Sequence, residues 1–197
     1  MKFTQALGKT TALLSLILIA GSAYGHWTLD NDASQLSFVT VKADNVGEVH
    51  TFDLMSGEIE DSGELSITVE LASVNTLIPI RNERMQAMLF ETSVFPEANI
   101  SASVDIDALG DMDAGDSRSM QVEFQLSLHG NTNSYTADVM VVRLEGGLMA
   151  TTTKPIIINA DSYQLAQGVE ALREVAGLPR ISNAVPVSFT VVFEGGH

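Results

Sequence analysis

Glu64 to Leu71 reads Glu-Leu-Ser-Ile-Thr-Val-Glu-Leu, an alternation that puts Leu65, Ile67, Val69 and Leu71 on one face and Glu64, Ser66, Thr68 and Glu70 on the other. A period of two with one apolar face marks an antiparallel strand half-buried against a core. Met120 to Leu128 reads the same way, with Met120, Val122, Phe124, Leu126 and Leu128 opposite Gln121, Glu123, Gln125 and Ser127, and so does Val187 to Phe193. Working outward, less regular strands are expected at Ser34 to Lys42, Gly47 to Glu60, Ile100 to Ile106, Tyr135 to Leu144 and Leu148 to Ile158. Turn residues punctuate them at Asn31-Asp32, Asp61-Ser62-Gly63 and Glu145-Gly146-Gly147. Eight strands with short connections predict an all-β fold, either one closed antiparallel barrel or a sandwich. Closure removes the unpaired strand edges that invite aggregation, but the periodicity by itself does not choose between the two.

Two stretches break the alternation. In Arg81 to Glu91 the apolar residues Met85, Met88 and Leu89 fall at helical spacing, and Phe95-Pro96 ends the element. In Val169 to Ala176, Val169, Leu172 and Val175 or Ala176 form a second short stripe before Gly177 and Pro179. Such stripes commonly serve as core; the sharper reading is a helical lid over one mouth of a barrel. No repeat, low-complexity tract or long linker divides the chain after residue 25, so 26–197 reads as one domain.

The composition narrows the chemistry. With 197 residues, 45% hydrophobic and 18% charged, the chain has the apolar content of a folded domain rather than a disordered one. It has 10 Lys plus Arg against 25 Asp plus Glu, a net charge of -15, so nucleic acid and anionic surfaces repel it. With no cysteine, disulfides, a thiolate nucleophile and a Cys-rich zinc site are excluded. Residues 1–25 read as a secretory signal peptide: Lys2 and Lys9 precede the apolar run Thr11 to Gly21, and Ala23 and Gly25 fit the small-residue positions before a cleavage site. The protein is then expected to be periplasmic or secreted, with a mature charge of -17 once both lysines are lost.

Motifs for catalysis are largely absent. The histidines at 26, 50, 129 and 197 form no pair at metal-ligand spacing, and no metal site is expected. A mature N-terminal His26 could hold copper only beside a second histidine, His50 or His129, which defines a copper-dependent enzyme as a remote alternative. The acidic run Asp105 to Asp116 is out of register for a calcium loop, because Gly115 and Val122 stand where oxygen donors belong, and it reads as a solvated hairpin loop. No Gly-x-Ser-x-Gly elbow, phosphate loop or dinucleotide fingerprint occurs. Arg81 and Arg84, three apart, would share a helix face and could meet an anionic headgroup, or else pair with Glu83 or Glu91.

Particular residues in order carry a resemblance. Trp27-Thr28-Leu29-Asp30, Ser37-Phe38, Phe52 and Gly57-Glu58-Ile59 are followed by Ala72-Ser73-Val74-Asn75-Thr76, Arg81-Asn82, Leu89-Phe90, Phe95-Pro96-Glu97-Ala98 and Leu126-Ser127-Leu128-His129-Gly130. This order resembles the YceI-like family of bacterial lipid- and polyisoprenoid-binding proteins, over about Trp27 to Leu144. Two features depart from it: Asn82 stands where the family has an acid, and Thr151 to Arg180 does not align. The resemblance implies an antiparallel eight-stranded, lipocalin-like barrel with one or two short helices, holding an isoprenoid lipid or quinone in an elongated apolar cavity, with no catalytic residue and no other cofactor. The ligand-binding wall is then expected from Phe38, Phe52, Ile67, Val69, Phe124, Leu126 and Phe189, with Met85, Met88 and Leu89 at the mouth and Arg81 and Arg84 toward the headgroup. A structural or stress-related exported barrel filled by its own side chains is the alternative, and a homodimer is left open. Intact mass of the exported protein checks the leader: the mature chain is expected to begin at His26.

Overall fold

The computed structural model describes residues 26–195; the expected leader lies outside them. The strands are β1 (Trp27–Lys42), β2 (Val46–Phe52), β3 (Met55–Ile59), β4 (Glu64–Glu70), β5 (Val74–Asn75), β6 (Glu97–Ser103), β7 (Ser117–Leu128), β8 (Asn131–Leu144), β9 (Gly147–Thr152), β10 (Ile156–Asn159) and β11 (Ala184–Gly195). All pair antiparallel in one sheet, and β11 pairs with both β9 and β1, which closes the sheet on itself. The ring β1-β3-β4-β6-β7-β8-β9-β11 has eight strands, so the fold is the closed barrel and not the sandwich. Three of its positions hold two segments each: β2 prolongs the place of β3, β5 that of β4, and β10 that of β9.

The breaks have local causes. Asn31-Asp32 is a bulge inside β1 rather than a turn: the register against β11 shifts between Asp30 and Gln35, and Asp30 Oδ1 accepts from the Asp32 and Ala33 amides at 2.9 and 3.2 Å. Asn31 bridges the gap this opens, accepting from the Met55 amide at 2.7 Å and donating to the Asp53 carbonyl at 3.2 Å, so the expected strand 47–60 divides into β2 and β3. Pro155, which cannot donate to a ladder, lies where 148–158 divides into β9 and β10.

The two barrel ends differ. At one, Ile106 begins helix α1 (Ile106–Gly110), which ends the strand expected to reach it, and Asp105 caps it by accepting from the Ala108 amide. Leu109 and Met112 are buried, so the run expected as a solvated acidic loop is in part an apolar plug. At the other end, helix α2 (Pro79–Arg84) starts with Pro at its first turn and runs into a π turn at Met85–Leu89. Helix α3 (Ala166–Val175) packs on that turn through Gly168, where a Cβ would come 2.6 Å from the Met88 carbonyl oxygen. Gly177, at φ +63°, closes α3 as its amide bonds the Glu174 carbonyl and that of Leu178 the Arg173 carbonyl.

Val69, Leu71 and Phe193 are essentially sealed from solvent, each contributing about 1.5–3 kcal/mol by burial. Gly147 faces the Phe193 carbonyl at the seam between β9 and β11, with no room for a Cβ. Gly147→Ala is therefore expected to lower unfolding free energy by about 1–3 kcal/mol in urea titration, the range for forcing atoms into filled space.

Candidate functional site

The inward residues of β7 do not pack as core side chains do. Met120, Val122, Phe124, Leu126 and Leu128 face inward yet stay only half-buried, because they border an internal cavity of about 480 Å³. That is within the range of small-molecule sites, about 300–1,000 Å³. An eight-stranded barrel leaves interior space for about one small ligand unless large side chains fill it, and here Ala98, Ala102, Ala137 and Ala150 occupy wall positions.

Of the ten residues expected in the wall, nine are there: Phe38, Phe52, Ile67, Val69, Phe124, Leu126 and Phe189 from the strands, and Met85 and Leu89 from the π turn. Met88 is the exception. The Phe90 amide bonds the Met85 carbonyl five residues back at 2.9 Å, which widens the turn. Phe90 is thereby brought inside against Phe52, ring centroids 5.7 Å apart, and Met88 falls outside the wall. The second expected stripe does form a lid: Val169, Leu172 and Ala176 line the cavity, with Leu165 before them and Leu178 after, whereas Val175 is exposed. Thr151 to Arg180, the segment that the resemblance read from the sequence did not reach, thus supplies part of the strand wall and half of the lid.

The polar wall residues are Thr40, Lys42, Glu48, His50, Arg81, Arg84 and Ser182, and they gather at the lidded end. Glu48 and His50 project inward from β2 beside Phe52 because they share its parity. Glu48 Oε2 lies 2.8 Å from Lys42 Nζ and 2.6 Å from Arg81 Nη1, so the carboxylate that Arg81 meets is Glu48 rather than Glu83 or Glu91. The Lys42 hydrogen bond, with Arg81 adding to it, holds the Glu48 carboxyl below its ordinary value. Arg81 Nη2 also donates to the Thr76 carbonyl at 2.7 Å, and Asn82 accepts from the Thr76 hydroxyl at 2.6 Å. Asn82 thereby holds the loop through a neutral side chain. Arg84 lines the same end with no carboxylate within 4.0 Å among the described residues.

His50 is 3% exposed, with Nε2 2.9 Å from Thr40 Oγ1 and its ring edge-on to Phe38. Its Nδ1 and the Nε of Arg81 are buried without a protein partner, and polar atoms so placed ordinarily find one. Residue type alone passed over His50, Glu48, Lys42 and Thr40; the period-two parity with Phe52 and Phe38 was the signal that places them inside. His26 lies 3.2 Å from Glu58 at the plugged end, with neither His50 nor His129 beside it. His129 instead lies 2.9 Å from Glu91.

A family model for the YceI-like domain matches residues 27–193. A polyisoprenoid binding domain from Saccharophagus degradans, implicated in plant cell wall breakdown, is 37% identical with a TM-score of 0.84, over 86% of this chain and 98% of that one. BcnA of Burkholderia cenocepacia is 17% identical with a TM-score of 0.63, over 83% and 98%. A YceI protein of Campylobacter jejuni is 14% identical with a TM-score of 0.53, over 75% and 85%, and these last two share the fold alone. No curated protein matches the chain.

Burial, followed by the Arg81 charge, holds the His50 imidazole below its ordinary value near 6.5. The unfolded chain then binds this proton more readily than the folded one, so stability rises with pH across the interval. The contribution is fully present above about pH 6.5 and lost as pH falls through the depressed folded value. His50→Gln, which does not titrate, is expected to flatten the fall in Tm between about pH 7 and about pH 5, measured by thermal scans against the parent.

Proposed function

The chain belongs to the YceI-like domain family, and on that premise we propose that it is a carrier that holds an isoprenoid lipid or quinone in its barrel. One observation carries the reading: the cavity is apolar along its length and polar at one end, the shape of a molecule with a hydrocarbon tail and an oxygen-bearing head. The described relative from Saccharophagus degradans, a polyisoprenoid binding domain, supports the same class.

The tail binds by burial. Each CH2 contributes about 0.8 kcal/mol, so three five-carbon units contribute about 12 kcal/mol. Association costs about 4–15 kcal/mol, and at the lower end of that range the surplus corresponds to roughly micromolar affinity. Nine wall residues expected from the sequence, Met88 excluded, supply the contact. The head lies at His50 and Arg81, whose free ring nitrogen and free Nε meet its oxygens. Lys42 and Arg81 share one carboxylate, Glu48, and Arg84 has none among the described residues, so the cavity wall here offers net positive charge beside its free hydrogen-bonding atoms and suits a head bearing carbonyl, hydroxyl or phosphate oxygens. A neutral imidazole donates or accepts at Nδ1 according to tautomer, and so serves a carbonyl or a hydroxyl equally. Nothing in this scheme requires catalysis. Export by the leader at 1–25 puts the carrier in the periplasm or outside the cell.

Native mass spectrometry of protein purified without detergent tests the reading, with the copurified lipid extracted and identified. An added mass matching a prenyl quinone or related lipid is expected. Ala150→Phe, which builds a ring into the wall, is expected to reduce the bound fraction about tenfold or more, since displaced tail carbons each forfeit their burial. A ligand-free mass that persists after incubation with prenyl quinones and prenyl alcohols would sink the proposal.

A further inference from the structure

The segment Leu77-Ile78-Pro79-Ile80 carries the chain from β5 into α2, over the lidded end. Leu77 is 86% exposed, the highest value among the large apolar side chains of the described residues, and Ile80 and Ile78 are 53% and 45% exposed. Leu77 also stands at φ +62°, a left-handed conformation that strains leucine and suits asparagine or glycine. The strain is held in place. The Leu77 amide donates to Asn75 Oδ1 at 2.9 Å, Asn75 Nδ2 donates to Asp53 Oδ2 at 2.8 Å, and the neighbouring Thr76 is buried and tied to Asn82 and Arg81. A large apolar side chain is thus aimed into water on a backbone that a polar residue would adopt more easily. Neither packing nor turn chemistry accounts for it.

The apolar surface continues inward, since Ile78 and Ile80 are both exposed outside and part of the cavity wall. Charge singles out the same end. The segments that frame it, 40–49, 76–84 and 165–182, hold five cations, Lys42, Arg81, Arg84, Arg173 and Arg180, and five carboxylates, Asp44, Glu48, Glu83, Glu170 and Glu174. That is a local balance of zero in a protein of net -15, so this end is the face that a bilayer with anionic headgroups repels least.

We propose that the lidded end docks on a phospholipid bilayer, with Leu77, Ile78 and Ile80 entering the interface and the basic residues among the headgroups. The mode is peripheral, an apolar tip flanked by cations. It rests on the carrier reading for its purpose, which is to bring the cavity opening against the lipid source so that a tail passes between bilayer and barrel without crossing water.

Flotation with vesicles of phosphatidylethanolamine and phosphatidylglycerol is the test. The protein is expected to float with them, and Leu77→Asn to lower the bound fraction about tenfold, the effect of removing one well-buried apolar side chain. The same substitution is expected to raise Tm, because asparagine tolerates the left-handed backbone, and to leave uptake of a prenyl quinone from detergent solution at the parent level. Leu144→Asn, at a partly exposed apolar position on the plugged end, is expected to leave flotation unchanged. Failure of the parent to float, flotation of Leu77→Asn at the parent level, or equal loss in Leu144→Asn would overturn the proposal. The two readings separate cleanly. Quinone uptake without flotation leaves the carrier and removes the docking, and Leu77-dependent flotation without uptake of any prenyl lipid does the reverse.

Discussion

Closure of the sheet through β11 governs the rest of the molecule. By pairing with β9 on one side and β1 on the other, this strand removes both edges of the eight-membered ring and fixes its girth. A ring of that girth has an interior that small aliphatic side chains do not span. With alanine at several inward positions and leucine, isoleucine, valine and phenylalanine at most of the others, about 480 Å³ is left unfilled. The barrel is therefore held by its ladders and by the sealed regions around Val69, Leu71 and Phe193 rather than by a filled centre.

The two ends resolve the same need in opposite ways. At the plugged end, Leu109 and Met112 enter beneath the strands, and the Arg143 guanidinium lies 5.0 Å over the Trp27 ring, covering its apolar face. At the lidded end, α2, the π turn and α3 cover the opening while admitting polar groups. Those groups persist in a half-buried place because one carboxylate, Glu48, serves two cations, and because Thr76 and Asn82 satisfy the loop that positions Arg81. Two atoms remain over, His50 Nδ1 and Arg81 Nε. The cost of leaving such atoms unpaired, about 1–3 kcal/mol each, is what a bound headgroup would relieve.

Much of this was legible in the chain because a strand announces its own faces. The alternation in 64–71 and 120–128 fixed which side chains point inward, and nine of the ten expected wall residues are in the wall. The failures have local reasons. Met88 obeys helical spacing, but the segment takes a wider turn there, and a period of 3.6 does not describe a π turn. Asn31-Asp32 has turn chemistry and makes a bulge, since the same side-chain hydrogen bonds serve either. Ile106 continued an apparent alternation until Asp105 capped a helix instead. The polar end was readable only by parity with Phe52, which is weaker evidence than a motif because it says where a side chain points and nothing of what meets it there.

The amino-acid order by itself determined the all-β class, the inward faces of the principal strands, the two short helical stripes and the absence of cysteine chemistry, because each follows from spacing or composition within a few residues. Only the tertiary structure decided barrel over sandwich, since that turns on whether the last strand reaches the first. It alone decided that the inward residues border a cavity rather than one another, because a void is a property of distances across the ring. It also brought Glu48 of β2 to Arg81 of α2, 2.6 Å apart in space and remote in sequence, and so placed the polar end of the cavity where no local pattern announces it.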